Sequence, residues 1–179
     1  MRARGFTLVE MVVTLVIVGI LAVVAIPRFF DRPFFDATAF ADRARSMLGY
    51  AQKLAVAQNR NVFVRLDGAS IALCFDSACT DVNRAIAPSG ENSGSAATLA
   101  ACAGSTAWFC EAIPSGTAYV AAPAIASFYF SPLGVPYLPA DPFPASGFPG
   151  VSANSLVITM SGGGAARSVS VEKETGYVR

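Results

Sequence analysis

One carboxylate stands inside an otherwise uncharged stretch near the N-terminus. It is Glu10, in the run FTLVEMVVTLVIVGILAVVAI from Phe6 to Ile26. At the centre of a membrane helix an acid costs roughly 2.5–3.5 kcal/mol on insertion scales, less near the interface, so Glu10 calls for a cation. Arg2, Arg4 or a lipid headgroup supplies one in the simplest reading. A second reactive group is the set of four cysteines, Cys74, Cys79, Cys102 and Cys110, separated by four, twenty-two and seven residues. The chain has no histidine, which removes the commonest general base and metal ligand. No enzyme, cofactor or metal is therefore expected, and the absence of CxxC pairs argues against zinc.

The elements that must hold these residues follow from hydropathy. Of 179 residues, 54% are hydrophobic and 14% charged, with mean hydropathy +0.51, too apolar for a disordered chain or an ordinary soluble domain. Formal net charge is +1, which points to no nucleic-acid partner. Residues 6–26 in a helix would measure about 30 Å, the thickness of a bilayer core. Arg2 and Arg4 precede this stretch, so the N-terminus is expected in the cytoplasm and everything after Pro27 beyond the inner membrane. A cleaved secretory signal fits poorly, because the run ends AVVAIPRFF with no A-x-A-like site. In an oxidising compartment an even number of cysteines reads as two disulfides among three connectivities. The local pairs, Cys74 with Cys79 and Cys102 with Cys110, are favoured because each closes a short loop, and each would contribute about 2–4 kcal/mol.

A short basic leader followed by GFTLVE, from Gly5 to Glu10, resembles the processing site of type IV prepilins and type II secretion pseudopilins. The resemblance implies that a prepilin peptidase cuts between Gly5 and Phe6 and that Phe6 becomes N-methylated. It also implies that Glu10 acts in assembly and that Pro27 ends or kinks the membrane part of the helix. Cleavage would create an α-amine with pKa near 8, mostly cationic at neutral pH, which could meet Glu10 of the same or a neighbouring helix. Because an unpaired buried charge costs several kcal/mol, that pairing would fix the axial register of packed subunits.

Beyond Pro27 the charged segment Arg28, Asp31, Arg32 and Pro33 gives way to a helical period. Phe40, Ala44, Met47, Ala51, Leu54 and Gln58, with Ala41, Leu48 and Ala55, form one face. Asp42, Arg43, Arg45, Gln52, Lys53 and Asn59 lie opposite. Asp36 is read as the cap where the helix restarts. An unbroken helix from Phe6 to Asn59 would be about 80 Å long, with kinks expected at Pro27 and Pro33.

NVFVRL, Asp67-Gly68 and SIALCF read as a hairpin with a two-residue turn. Val62, Val64 and Leu66 would share a face with Ile71, Leu73 and Phe75. Further strands are expected at 118–121, 127–130, 156–160, 168–172 and 177–178. Gly162 to Gly164 marks a turn, and the preceding Ser161 makes it an unconvincing phosphate cradle with no lysine after it. The Ala/Ser/Gly-rich stretch 85–107 and the proline-rich stretch 131–150 read as surface loops. The organisation is thus a leader (1–5), a membrane or filament-core helix (6–27), its amphipathic second half (28–60) and a β-rich domain (61–179).

The hairpin, SFYFSPLGVPY and the ending RSVSVEKETGYVR resemble minor pilins and pseudopilins of the GspH/FimT type, including those of mannose-sensitive haemagglutinin pili. The resemblance implies an α+β pilin fold: a long N-terminal helix on an antiparallel sheet. The implied role is a structural subunit, acting in initiation or at the tip of a pilus or secretion pseudopilus. Its partners would be prepilin peptidase, other pilin or pseudopilin subunits, the inner-membrane assembly platform and the membrane itself. A pilus-associated binding module, for surface adhesion or DNA uptake, is the alternative. Trp108, Phe109, Phe128, Tyr119 and Tyr129 read as packing residues rather than a binding face. Arg167, Lys173 and Arg179 interleave with Glu172 and Glu174, which weakens any phosphate-binding reading.

Overall fold

The computed structural model describes residues 7–29, 32–141 and 155–179, with backbone alone over 24–29. The chain divides into two compact units, through Arg32 and from Pro33 onward. The first contains helix α1, Leu8–Phe29. Pro27 lies inside α1 rather than at its end.

The second unit is built on α2, Arg32–Gln58, whose buried residues are Ala37, Phe40, Ala41, Ala44, Met47, Leu48, Ala51 and Ala55. The spacings of three and four expected from the sequence account for this stripe, while Leu54 is only half-buried and Gln58 is exposed. Asp36 lies inside α2 and does not cap it, because the helix starts four residues earlier. There Pro33, with φ preset for a helix and no N–H to lose, occupies the first turn.

Strands β1 (Val62–Leu66), β2 (Ser70–Cys74) and β3 (Cys110–Ala112), with β5 (Ser127–Phe130) and β6 (Pro136–Tyr137), make an antiparallel sheet in the order β3-β2-β1-β5-β6. A second antiparallel sheet, β4-β7-β8, contains β4 (Thr117–Ala122), β7 (Ser155–Gly162) and β8 (Ala165–Glu172). The α2 stripe from Phe40 to Ala55, Val62, Val64 and Leu66 of β1, Ile71 and Leu73 of β2, Phe128 and Phe130, and Leu156, Ile158, Met160, Val169 and Val171 share one core.

In the first hairpin Leu66 pairs with Ile71, so four residues lie between the paired positions rather than two, the last of them, Ser70, entering β2 through its pair with Ala112 of β3. The faces survive because both lengths are even and side chains alternate with period two. Asp67 Oδ1 accepts the N–H groups of Ala69 (2.9 Å) and Ser70 (2.6 Å), an Asx-type closure that lets Gly68 take φ +82°. Tyr119 of β4 clamps this turn, accepting from Gly68 N–H (2.9 Å) and donating to the Ser70 carbonyl (3.0 Å).

Three further expectations are corrected. The stretch 85–107 is not loop throughout: it contains helix α3, Ala96–Ala101, capped by Ser95, whose hydroxyl accepts from Thr98 N–H at 3.1 Å. The stretch 131–150 contributes β6, whose Pro136 sits where a missing N–H is tolerated, on the edge strand of the sheet; residues 142–150 lie outside the described part. Residues 177–178 form a single bridge, Val171 to Val178, rather than a strand.

The glycine-rich turn has a steric role. A Cβ on Gly162 would lie 2.7 Å from the Pro33 carbonyl oxygen, and one on Gly163 would lie 2.6 Å from Phe34 N. The β7–β8 turn therefore seats its backbone directly on the first turn of α2. Gly163→Ala should destabilise the fold by about 1–3 kcal/mol through overpacking. Gly49→Ala, mid-α2 with open space at Cβ, should stabilise it by about 0.5–1 kcal/mol. Thermal unfolding of the two variants beside the parent chain checks both signs.

Candidate assembly site

Gly5 and Phe6, the expected cleavage pair, lie outside the described residues, as does the leader. Directly after them Thr7 begins the helix: its Oγ1 accepts the Glu10 backbone N–H at 3.2 Å. Thr7-Leu8-Val9-Glu10 has the spacing of a capping box, with hydroxyl at the cap and acid three residues on. That spacing is readable in the sequence, and the bond ties Thr7 to the turn that carries Glu10. Glu10 is exposed and sits in the first turn of α1, where the partial positive charge of the helix N-terminus favours a carboxylate.

Around Glu10 the surface of α1 is apolar on every side. Leu8, Val9, Met11, Val12, Val13, Leu15, Val16, Ile17, Val18, Ile20, Leu21 and Val23 are each 49–80% exposed. A helix hydrophobic all round belongs in lipid or among other helices. Among the described residues no helix is long and apolar enough to cross a membrane; the side chains described in α1 stop at Val23, about 24 Å of helix from Leu8 against a bilayer core of about 30 Å.

The cysteines pair Cys74 with Cys79, at a Cα separation of 5.2 Å, and Cys102 with Cys110, at 5.9 Å. Both bridges lie in a second buried cluster with Ala72 and Trp108, on the face of β2 opposite the main core. This explains why all five residues of β2 are buried where a half-solvated strand would alternate. Trp108 anchors the cluster, donating from Nε1 to the Leu73 carbonyl at 2.8 Å under the guanidinium groups of Arg84 (4.4 Å) and Arg65 (5.1 Å).

Two polar residues tie loops to α2, and neither was singled out in advance for that role. Glu111, 4% exposed, accepts from Ser93 N–H (2.8 Å) and the Thr98 hydroxyl (3.3 Å) and pairs with Arg43 Nη1 of α2 at 3.1 Å. Gln52, expected on the solvated face, donates from Nε2 to the carbonyls of Thr175 (2.8 Å) and Gly134 (3.2 Å). A lone Gln or Glu carries no local pattern that announces a contact eighty residues away. Phe128 and Phe130 pack edge to face at 5.3 Å in the core, Tyr50 and Phe109 do so at 5.4 Å, and Tyr129 donates to the Asp141 carbonyl at 2.9 Å. Arg179 pairs with Glu172 at 3.0 Å. Among the described residues no group of three His, Cys, Asp or Glu could hold a metal ion.

Burial raises the Tyr119 phenol above its ordinary value of 10.0. Since the folded pKa exceeds the unfolded one, its stabilising effect is complete below pH 10 and is lost as pH rises through the folded value. Tyr119→Phe should lower stability by about 1 kcal/mol at neutral pH, and should lose less than the parent between pH 10 and 11. Urea unfolding across that range checks it.

Three comparisons bear on this arrangement. A family model described as the prokaryotic N-terminal methylation motif matches residues 1–26. The type IV narrow pilus major component PilA5 of Thermus thermophilus is 38% identical over 76 residues, which is 39% of this chain and 66% of that protein. Crystal structures of the type IV minor pilin FimU of Pseudomonas aeruginosa align over 79% of this chain in two crystal forms. One has TM-score 0.50 with 12% identity and 85% of that chain covered, the other 0.46 with 14% and 90%. At such identities the first of these shows the fold: a long N-terminal helix followed by antiparallel sheet, the type IV pilin fold.

Proposed function

We propose that this chain, which carries the N-terminal methylation motif on a type IV pilin fold, is a minor pilin or pseudopilin assembled into a filament through α1. The observation that carries the reading is α1 itself: predominantly apolar on all sides, exposed along the length whose side chains are described, and charged there only at Glu10. Such a surface is unstable in water and fits two environments in succession, a bilayer and then a bundle of like helices. A prepilin peptidase removes residues 1–5 after insertion with the N-terminus in the cytoplasm, and the domain from Pro33 onward lies on the far side of the inner membrane. Cleavage at Gly5 exposes the Phe6 amine at the depth of Glu10, and N-methylation retains its charge.

In the filament the amine of one subunit neutralises Glu10 of another, and the axial stagger between them sets the register. Thr7, by capping the same turn, holds Glu10 at the helix start so that its carboxylate projects near the amine. Initiation or tip placement suits the loop-rich ectodomain, whose segment 76–110 is stapled by two disulfides onto the sheet. Adhesion or DNA uptake through those loops is the second reading. The salt-bridged state of Arg179, Arg84 and Arg65 leaves it the weaker one, since phosphate binding needs uncompensated positive charge.

Mass spectrometry of the mature chain should find methylated Phe6 at the N-terminus; an intact Met1 would contradict processing. Glu10→Ala makes the helix more apolar, so insertion and cleavage should persist while filament incorporation falls by tenfold or more, about 1.4 kcal/mol per decade. Quantitative immunoblotting of sheared filaments against membranes reads this. Parent-level incorporation of Glu10→Ala would refute the charge pairing.

A further inference from the structure

At the first turn of α2 two aromatic side chains stand in water. Phe34 is 42% exposed and Phe35 63%, and their rings meet edge to face at 5.4 Å. Neighbouring core positions of the same helix are almost fully buried, Ala37 at 0% and Phe40 at 4%. The two rings are not part of the core cluster. The turn holding them is rigidly backed. Gly163 approaches the Phe34 backbone so closely that a Cβ there would sit 2.6 Å from its nitrogen, and the Thr38 hydroxyl donates to the Phe34 carbonyl at 3.1 Å.

Chain length says what surface these rings can meet. Phe34 follows Ile26, the last residue of the apolar run, by eight positions, which is about 12 Å if helical and at most about 23 Å if the chain is extended beyond Phe29. The interfacial layer on each side of a bilayer is roughly 5–7 Å thick. If α1 spans the core, Phe34 and Phe35 lie within a few residues of the headgroup layer and within reach of it. The flanking charges, Arg28, Asp31, Arg32 and Asp36, cancel, so any attraction there is apolar rather than electrostatic. Exposed aromatic rings at that depth gain by entering the acyl boundary.

We infer that Phe34 and Phe35 form a bilayer-surface docking site, seating the base of the ectodomain on the outer leaflet of the inner membrane before the subunit is drawn into a filament. The occupant is the lipid interface itself, with no requirement for an anionic headgroup. This rests on the reading that α1 is membrane-inserted. Extraction would then have to lift two rings as well as α1 from lipid, so the pair sets part of the threshold for leaving the membrane.

The test uses the full chain, reconstituted at low density in phosphatidylcholine vesicles brominated either just below the headgroup or near the chain ends. Tryptophan is placed at one of three positions and the signal of the buried Trp108 subtracted with the unsubstituted chain. Phe35→Trp should emit at shorter wavelength than in water and be quenched most by the shallow bromines, without change when salt is raised. Val18→Trp, within α1, should be quenched most by the deep bromines. Val82→Trp, 91% exposed, should be unquenched. Its loop closes on Phe75, which lies beneath Arg60 at 3.8 Å, at the far end of the roughly 40 Å α2.

Quenched Val18→Trp with unquenched Phe35→Trp would overturn the docking site and leave the membrane reading standing. Unquenched Val18→Trp would overturn both. Quenching at Val82→Trp as strong as at Phe35→Trp would show unspecific adsorption and overturn the site. A blue shift at Phe35→Trp that develops only as protein density rises would assign the rings to subunit contact instead, which also overturns it.

Discussion

The organisation of this chain follows from one physical constraint: an apolar helical surface that water will not tolerate, bearing a single acid that lipid will not tolerate uncompensated. The twelve large side chains along α1 are 49–80% exposed and call for a cover such as lipid or other helices. Lipid covers them indifferently, with no register. In the filament proposed above, Glu10 would make one covering arrangement better than another, because a charge in a low-dielectric bundle discriminates sharply between a partner at contact distance and none. The Thr7 hydroxyl bond to the Glu10 N–H ties that charge to the helix start, so helix capping and charge placement are one local structure.

The domain from Pro33 onward meets a different constraint. Helix α2, the short α3 and two small sheets must bury enough area to hold a fold. The core does so with small residues on α2, where five of the eight buried positions are alanine and those from Phe40 to Ala55 pack in one cluster with side chains of β1, β2, β5 and β7. The outer face of β2 would otherwise be wet. The segment 76–110 closes over it instead, held by Cys74–Cys79, Cys102–Cys110 and the Trp108 bond to Leu73. Glu111 and Gln52 then fasten this covering segment and the chain's last turn to α2. The disulfides thus belong to the covering of a sheet face, and chain entropy in their short loops is only part of what they contribute.

Periodicity made much of this legible. The α2 stripe, the parity of the first hairpin and the strands at 127–130 and 156–160 follow from spacing alone, because each buries a face against one core. The methylation motif was equally plain, being contiguous. What spacing could not show were features set by distant partners. Asp36 resembles a cap, but Pro33 starts the helix earlier. Pro136 forbids a central strand yet sits comfortably at a sheet edge. Ala96 to Ala101 has composition suited to either loop or helix, and Ser95 decides it. Gly162 and Gly163 resemble a flexible turn, whereas contact with Pro33 and Phe34 requires their missing side chains. The Thr7 cap is the exception: its four-residue signature was local and was obscured by the stronger signal of the motif around it.

The most direct test of the central claim is the state of the Glu10 carboxyl within an assembled filament containing this subunit, read by solid-state NMR with labelled Glu10 and Phe6. The account predicts an ionised carboxylate with a methylated amine nitrogen within about 4 Å, the span of an ion pair. A protonated carboxyl, or an ionised one with no amine in range, would contradict it.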